Sequence, residues 1–148
     1  MAHRIDRSAL VWHPAERMFD LVNDIPSYPL FLPWCSAAEV HPSEEADVLA
    51  SIEVAKGGMR HRFTTRNRLD KPSRIEMALV DGPFSALSGQ WQFQALNEKA
   101  SKIILTLDFE FSGRLTSMAF GNVFGQAANT MVDAFCRRAS ELYGEVKA

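Results

Sequence analysis

Between Ser36 and Gly113 the hydrophobic pattern has a period of two. Val48, Ala50, Ile52 and Val54 alternate with polar neighbours, and Met59, His61, Phe63, Thr65, Asn67 and Leu69 form one face of the next run. Ile75, Met77 and Leu79 follow, then Leu87, Gly89, Trp91, Phe93 and Ala95 against Ser88, Gln90, Gln92 and Gln94. Last come Ile103, Leu105, Leu107, Phe109 and Phe111, opposed by Lys102, Thr106, Asp108 and Glu110. Such alternation marks strands with one buried face. The turns Lys56-Gly57-Gly58, Asp70-Lys71-Pro72-Ser73, Asp81-Gly82-Pro83 and Asn97-Glu98-Lys99 are short, so successive strands run antiparallel. With a first strand over Arg4–Trp12, about seven strands are predicted.

From Leu115 to Tyr143 the period changes to that of a helix. Phe120, Val123, Phe124, Ala127, Ala128, Met131, Val132, Phe135, Ala139 and Leu142 share one side, and Asn122, Gln126, Asn129, Asp133, Arg137 and Ser140 the other. Thr116 and Ser117 can cap its start, and Gly144 ends it just after Arg137 and Arg138. At 1.5 Å per residue this helix is about 40 Å long. Between the first strand and the sheet, Pro14 opens a short helix over Ala15–Val22, and Ile25 to Cys35 carries three prolines that allow a single further turn. The large apolar side chains of that segment either plug the end of the core or act as a lid over a ligand.

One antiparallel sheet with a single long helix is an α+β arrangement of helix-grip type: a curved seven-stranded sheet wrapped around the C-terminal helix, with two short helices after the first strand. A strongly curved sheet cannot touch one helix everywhere. The space between them is bordered by Phe63, Trp91, Phe93, Leu105, Phe109, Phe120, Phe124 and Met131, which either line a pocket or fill the core.

Composition narrows the function without naming it. The 148 residues fit one domain over 1–148, and the 47% apolar and 23% charged content is ordinary for a globular protein. The net charge of −2 gives no global affinity for nucleic acid, so no DNA partner is expected. The N-terminus lacks a signal-peptide core and no run reaches a membrane span, which suggests a cytoplasmic protein with Cys35 and Cys136 reduced. His3, His13, His41 and His61 show no metal-ligand spacing, so no metal is expected.

Candidate chemistry is sparse. On the inward face the polar residues are His61, Thr65 and Asn67, all on one strand. Thr65 and Asn67 either satisfy each other in the core or bind the oxygens of a ligand. No Ser/His/Asp or Cys/His set has a partner that sequence can place, and Asp108 and Glu110 face water. No catalytic residue is assigned. Outward on the same strand, Arg60, Arg62, Arg66 and Arg68 form one row about 27 Å long. It is either a solvated face paired with Glu53 and Glu76 or a platform for phosphates or anionic headgroups.

Six motifs occur in order: Tyr28-Pro-x-Phe-Leu-Pro-Trp-Cys35, Phe63-Thr-Thr-Arg-Asn67, Asp81-Gly-Pro-Phe84, Gly89-x-Trp-x-Phe93, Leu107-Asp-Phe-Glu-Phe111 and Met131-Val-x-Ala-Phe135. Together they resemble the RatA and ubiquinone-binding branch of the START-like (polyketide cyclase/lipid transport) superfamily, over nearly the whole chain. The resemblance implies a helix-grip fold and two functions, neither enzymatic. The first, which the expected apolar pocket ranks ahead, is binding of a ubiquinone-like polyprenyl lipid in support of respiration. The expected ligand site is Phe31, Trp34, Phe63, Thr65, Asn67, Phe84, Trp91, Phe93, Leu105, Phe109, Phe120, Phe124 and Met131, with a ubiquinone or other isoprenoid as ligand rather than cofactor and a transient inner-membrane contact. The second is RatA-type binding to the large ribosomal subunit, blocking subunit association through Arg60, Arg62, Arg66 and Arg68. A cyclase-type activity ranks last, for want of an acid or base in the pocket.

Overall fold

The alternating segments pair into one seven-stranded antiparallel sheet, seen in a computed structural model that describes residues 3–42, 47–56, 59–111 and 114–144, with the side chains of 56, 59 and 114–123 outside that description. The strands are β1 (His3–Val11), β2 (Cys35–His41), β3 (Val48–Lys56), β4 (Met59–Asp70), β5 (Arg74–Asp81), β6 (Phe84–Ala95) and β7 (Ser101–Phe111). Their order is β1-β7-β6-β5-β4-β3-β2, so the first two strands in the chain lie at opposite edges. The connection between them is α1 (Ala15–Asn23) and a 3-10 turn over Ile25–Leu30, the two short helices expected from the sequence. The long helix α2 runs from Arg114 to Tyr143, about 45 Å at 1.5 Å per residue. It ends where Gly144 takes a φ of 76° and its N–H bonds Ser140 O at 2.9 Å. The helix begins at Arg114, so Thr116 and Ser117, expected to cap its start, fall inside its first turn, and the turn at Gly57-Gly58 lies outside the described residues.

Three irregularities bend the sheet. The pairing register shifts between Cys35 and Ala37, between Thr64 and Thr65, and between Phe84 and Ala86. Each extra residue increases local twist and curls the ribbon around α2. Gly89 has a different role, the close approach of β7: a Cβ there would lie 2.6 Å from Thr106 O, so only glycine fits.

The core fills the concave side. Met18, Phe19, Ile103, Phe135 and Ala139 are fully or almost fully buried. Arg7, on the β1 edge, donates from Nε and Nη2 to Asn129 Oδ1 at 3.2 and 2.9 Å and ties α2 to that edge. Lys71 in the β4–β5 turn reaches Asp20 at 3.2 Å and Glu16 at 3.8 Å, tying α1 down at the other end. With α2 held toward β1 and β7, the proline-containing segment packs at the other end of the sheet, against β2 and β3. Trp34 O accepts from Ala55 N at 2.9 Å, and Tyr28 is buried. In this structure the segment closes over the end of the core, a placement common to a plug and to a lid.

Candidate functional site

The residues of α2 that face the sheet read Phe124, Ala127, Ala128, Met131, Phe135. The two phenylalanines, eleven residues apart, each gather an aromatic cluster. Phe124 packs against Phe109 at 4.9 Å, Phe84 at 5.0 Å and Phe63 at 5.9 Å between ring centroids. Phe135 packs against Phe31 and Trp91, each at 5.3 Å, and Tyr28 at 5.4 Å. Between the clusters the helix offers the short side chains of Ala127 and Ala128, and the gap they leave is a cavity of about 70 Å³. Strands β3 to β7 close it with Ile52, Phe63, Thr65, Asn67, Met77, Leu87, Trp91, Leu105 and Leu107, and the proline-containing segment adds Ile25, Tyr28 and Trp34.

Among the expected ligand residues, the structure brings Trp34, Phe63, Thr65, Asn67, Trp91, Leu105, Phe124 and Met131 to the wall of this cavity. Four are placed elsewhere. Phe84 and Phe109 fold onto Phe124, and Phe84 also stacks on Phe111 at 5.3 Å, so both rings are spent on packing. Phe93 lies behind Trp91, stacked at 6.2 Å and touching Phe19 at 5.6 Å. Phe31 sits on the far side of Phe135, under the Arg138 guanidinium at 5.1 Å. Aromatic edges and faces attract one another, so rings crowded on an inner face close up before they line a void. The side chain of Phe120 lies outside the described residues. The expected site lacked Ile25 and Tyr28 of the proline-containing segment, Ile52, Met77, Leu87 and Leu107 of the sheet, and Ala127 and Ala128 of α2. The small pair on an otherwise bulky helix face was the available signal.

Apart from the indole N–H groups of Trp34 and Trp91, the polar side chains on the described wall are Thr65, Asn67 and Tyr28. Thr65 Oγ1 donates to Asn67 Oδ1 at 2.8 Å, and both residues are buried. The Tyr28 hydroxyl donates to Val22 O, and burial pushes its pKa up, so it neither gives nor takes a proton near neutrality. Burial also pushes the Cys35 thiol up to about 11, with Sγ directed at Ala37 O, which keeps the thiolate scarce near neutrality. Among the described residues no three His, Cys, Asp or Glu side chains gather as metal ligands, and no described helix is long and apolar enough to cross a membrane.

A Ser–His pair absent from the sequence reading does form, on the outer face. His41 Nε2 lies 2.7 Å from Ser51 Oγ, which is 2.6 Å from Thr64 Oγ1. Ser51 is only 2% exposed and engaged on both sides. No substrate reaches it, and the chain of hydroxyls cross-links β2, β3 and β4.

The outer face also carries the arginine row. Arg60, Arg62, Arg66 and Arg68 project on the side away from α2, and carboxylates from neighbouring strands stand among them. Arg60 is 3.4 Å from Glu53, and Arg62 bonds Glu39, whose pKa that bond lowers. Arg68 faces Glu76 in the β4–β5 register. Beyond Arg66 and Arg68 the face sinks into an open trough of about 550 Å³, floored by short residues such as Ala78, Ser88 and Thr106 and bounded on the β1 side by Arg4 and Asp108, 3.5 Å apart.

Comparison with known proteins agrees with this architecture. The sequence profile described as polyketide cyclase / dehydrase and lipid transport matches residues 11–136. The ribosome association toxin RatA of Pseudomonas aeruginosa is 55% identical over 144 residues, 97% of this chain and 100% of that protein. The mitochondrial coenzyme Q-binding protein COQ10 homolog B of Xenopus laevis is 27% identical over 87% of this chain and 54% of its own length. A Streptomyces aromatase/cyclase superposes with a TM-score of 0.79 at 17% identity, covering 99% of this chain and 100% of that one, a likeness of fold. A helix-grip fold matched along its length by a profile and by a relative of more than half identity leaves one assignment: the chain belongs to the polyketide cyclase / dehydrase and lipid transport family, in the branch of the RatA proteins.

Proposed function

We propose that this protein is a non-enzymatic ribosome-association factor of the RatA kind, which binds the large ribosomal subunit and hinders its joining to the small one. A cytoplasmic setting goes with that reading. The observation that carries it is a contrast of volumes. The interior cavity, about 70 Å³, lies far below the roughly 300–1,000 Å³ of sites that enclose a drug-sized ligand. The outer trough holds about 550 Å³ and opens on a polar sheet face. The 55% identity to a relative named for ribosome association supports it. An enzymatic reading has little to stand on, since among the described residues the titratable group on the cavity wall is the Tyr28 hydroxyl, held by Val22 O. The test is co-sedimentation of the full chain with purified ribosomal subunits, together with subunit-joining profiles. Binding to the large subunit and a surplus of free subunits are expected, and a wild-type chain that stays at the top of the gradient refutes the reading.

A second reading is favoured by the Thr65–Asn67 pair, a buried polar unit on an otherwise apolar wall. In it the cavity receives the ring of a ubiquinone-like lipid, whose oxygens meet that pair. A polyprenyl tail then requires α2 or the segment over residues 25–34 to move outward. Native mass spectrometry of protein from its own host, before and after solvent extraction, tests this. Absence of any isoprenoid mass in either state, with none taken up on loading, defeats it.

A further inference from the structure

The trough on the outer sheet face differs from the anion platform that four outward arginines suggest. Its rim carries Arg4, Arg66 and Arg68, and also Asp47, Glu76 and Asp108, so the formal charges cancel. The signs are interleaved. Arg4 lies 3.5 Å from Asp108, and Glu76, opposite Arg68 in register, also accepts from Arg74 at 3.1 Å. Farther along β4, Arg60 and Arg62 have Glu53 and Glu39 beside them. A phosphate chain laid here meets a carboxylate next to Arg4, Arg60, Arg62 and Arg68. At Arg4, Arg60 and Arg62 a contact to phosphate breaks an ion pair and leaves a carboxylate facing the backbone. Counterion release, the main drive of phosphate binding, needs cations not already neutralised. Charges that alternate from strand to strand, about 4.8 Å apart, match a protein surface carrying both signs in the complementary order.

We infer that the trough is the docking groove for a protein segment bearing charges of both signs. Resting on the ribosome-association reading above, the partner recognised there is a ribosomal protein and not the phosphate backbone of ribosomal RNA. Ser88 lies exposed in the floor on β6, the middle strand of the five from β4 to β1, so a large side chain at that position fills the groove without changing its charge.

The experiment is co-sedimentation of the full chain with purified large subunits over a range of potassium chloride concentrations, for wild type, Ser88→Trp, Glu76→Arg and Asp108→Arg. Circular dichroism and urea midpoints check each fold, and Ser88→Gln stands in should the tryptophan variant fail to fold. The wild type is expected to bind with a log–log salt slope shallower than about −1, where four phosphate contacts give about −3. Ser88→Trp and both charge reversals are expected to weaken binding about tenfold. Tighter binding by the reversals with a steep slope assigns the face to RNA and overturns the inference while ribosome association stands. Full binding by Ser88→Trp overturns it too. Self-association of the free chain that Ser88→Trp abolishes gives the trough to a second copy and likewise overturns it. Failure of the wild type to sediment with the subunit at any salt sinks the ribosome reading itself.

Discussion

Thr65 and Asn67 offer a test of how the cavity is built. The Thr65 hydroxyl donates to Asn67 Oδ1 at 2.8 Å, and each residue is 6% exposed. Replacing Thr65 by valine keeps the shape of the side chain but removes the donor, leaving the amide oxygen buried with its partner gone. An orphaned buried polar group costs about 1–3 kcal/mol. Asn67→Leu has the converse effect on the hydroxyl, offset in part by the apolar surface it adds. The double variant leaves neither orphan, and an apolar pair of similar shape is close to neutral or stabilising. The coupling between the sites is therefore expected near 2 kcal/mol, large for a contacting pair. Urea unfolding followed by circular dichroism measures it. With a denaturant slope of about 2 kcal/mol per molar, Thr65→Val moves the midpoint down by roughly 1 M, and the double variant restores it. If the double variant loses as much as the two single variants combined, the pair is not the energetic unit and the wall of the cavity has been misread. Because cavity and trough lie on opposite faces of the sheet, the double variant is also expected to sediment with ribosomal subunits like the wild type, which separates the two functional readings.

Phe135 is fully buried among Tyr28, Phe31 and Trp91, so Phe135→Ala is expected to cost about 3–5 kcal/mol and lower the melting temperature by roughly 10 °C, read by calorimetry. Gly89→Ala brings a methyl group 2.6 Å from Thr106 O and should separate β6 from β7, at about 1–3 kcal/mol by urea unfolding; an unchanged midpoint would mean that the strands are looser there than this contact implies. His13 is 3% exposed, and burial first, then the Arg17 charge, hold its pKa below the ordinary 6.5. Below that value the unfolded chain takes up a proton that the folded chain resists, so this contribution is intact above pH 6.5 and is lost as pH falls toward the lowered folded value. Unfolding at pH 7.5 and 5.5 should show a smaller loss for His13→Gln than for wild type.

The elements and their inward faces can be read from the chain alone. A strand or helix advertises its period locally, so the alternation through β3 to β7 and the three-and-four spacing of α2 were legible residue by residue, as was the outward placing of Arg60, Arg62, Arg66 and Arg68. The ordered motifs, from Tyr28 to Phe135, carried the family. Relations between neighbours from separate elements emerged only in three dimensions. Whether Phe109 lines a void or closes it depends on where Phe124 stands, 4.9 Å away on α2. The cavity's small volume is the remainder left after rings from both layers have packed, and no local pattern reports a remainder. Charge pairing behaved the same way. The arginine row was visible along β4, but Glu39 beside Arg62 and Glu53 beside Arg60 come from β2 and β3, and pairing across strands turned a line of cations into a face of balanced charge. His41 and Ser51 lie ten residues apart in the chain, yet the β2–β3 pairing brings them to 2.7 Å. Periodicity is a property of one segment, whereas volume and charge balance belong to the contacts among several, which exist only once the sheet has curled around its helix.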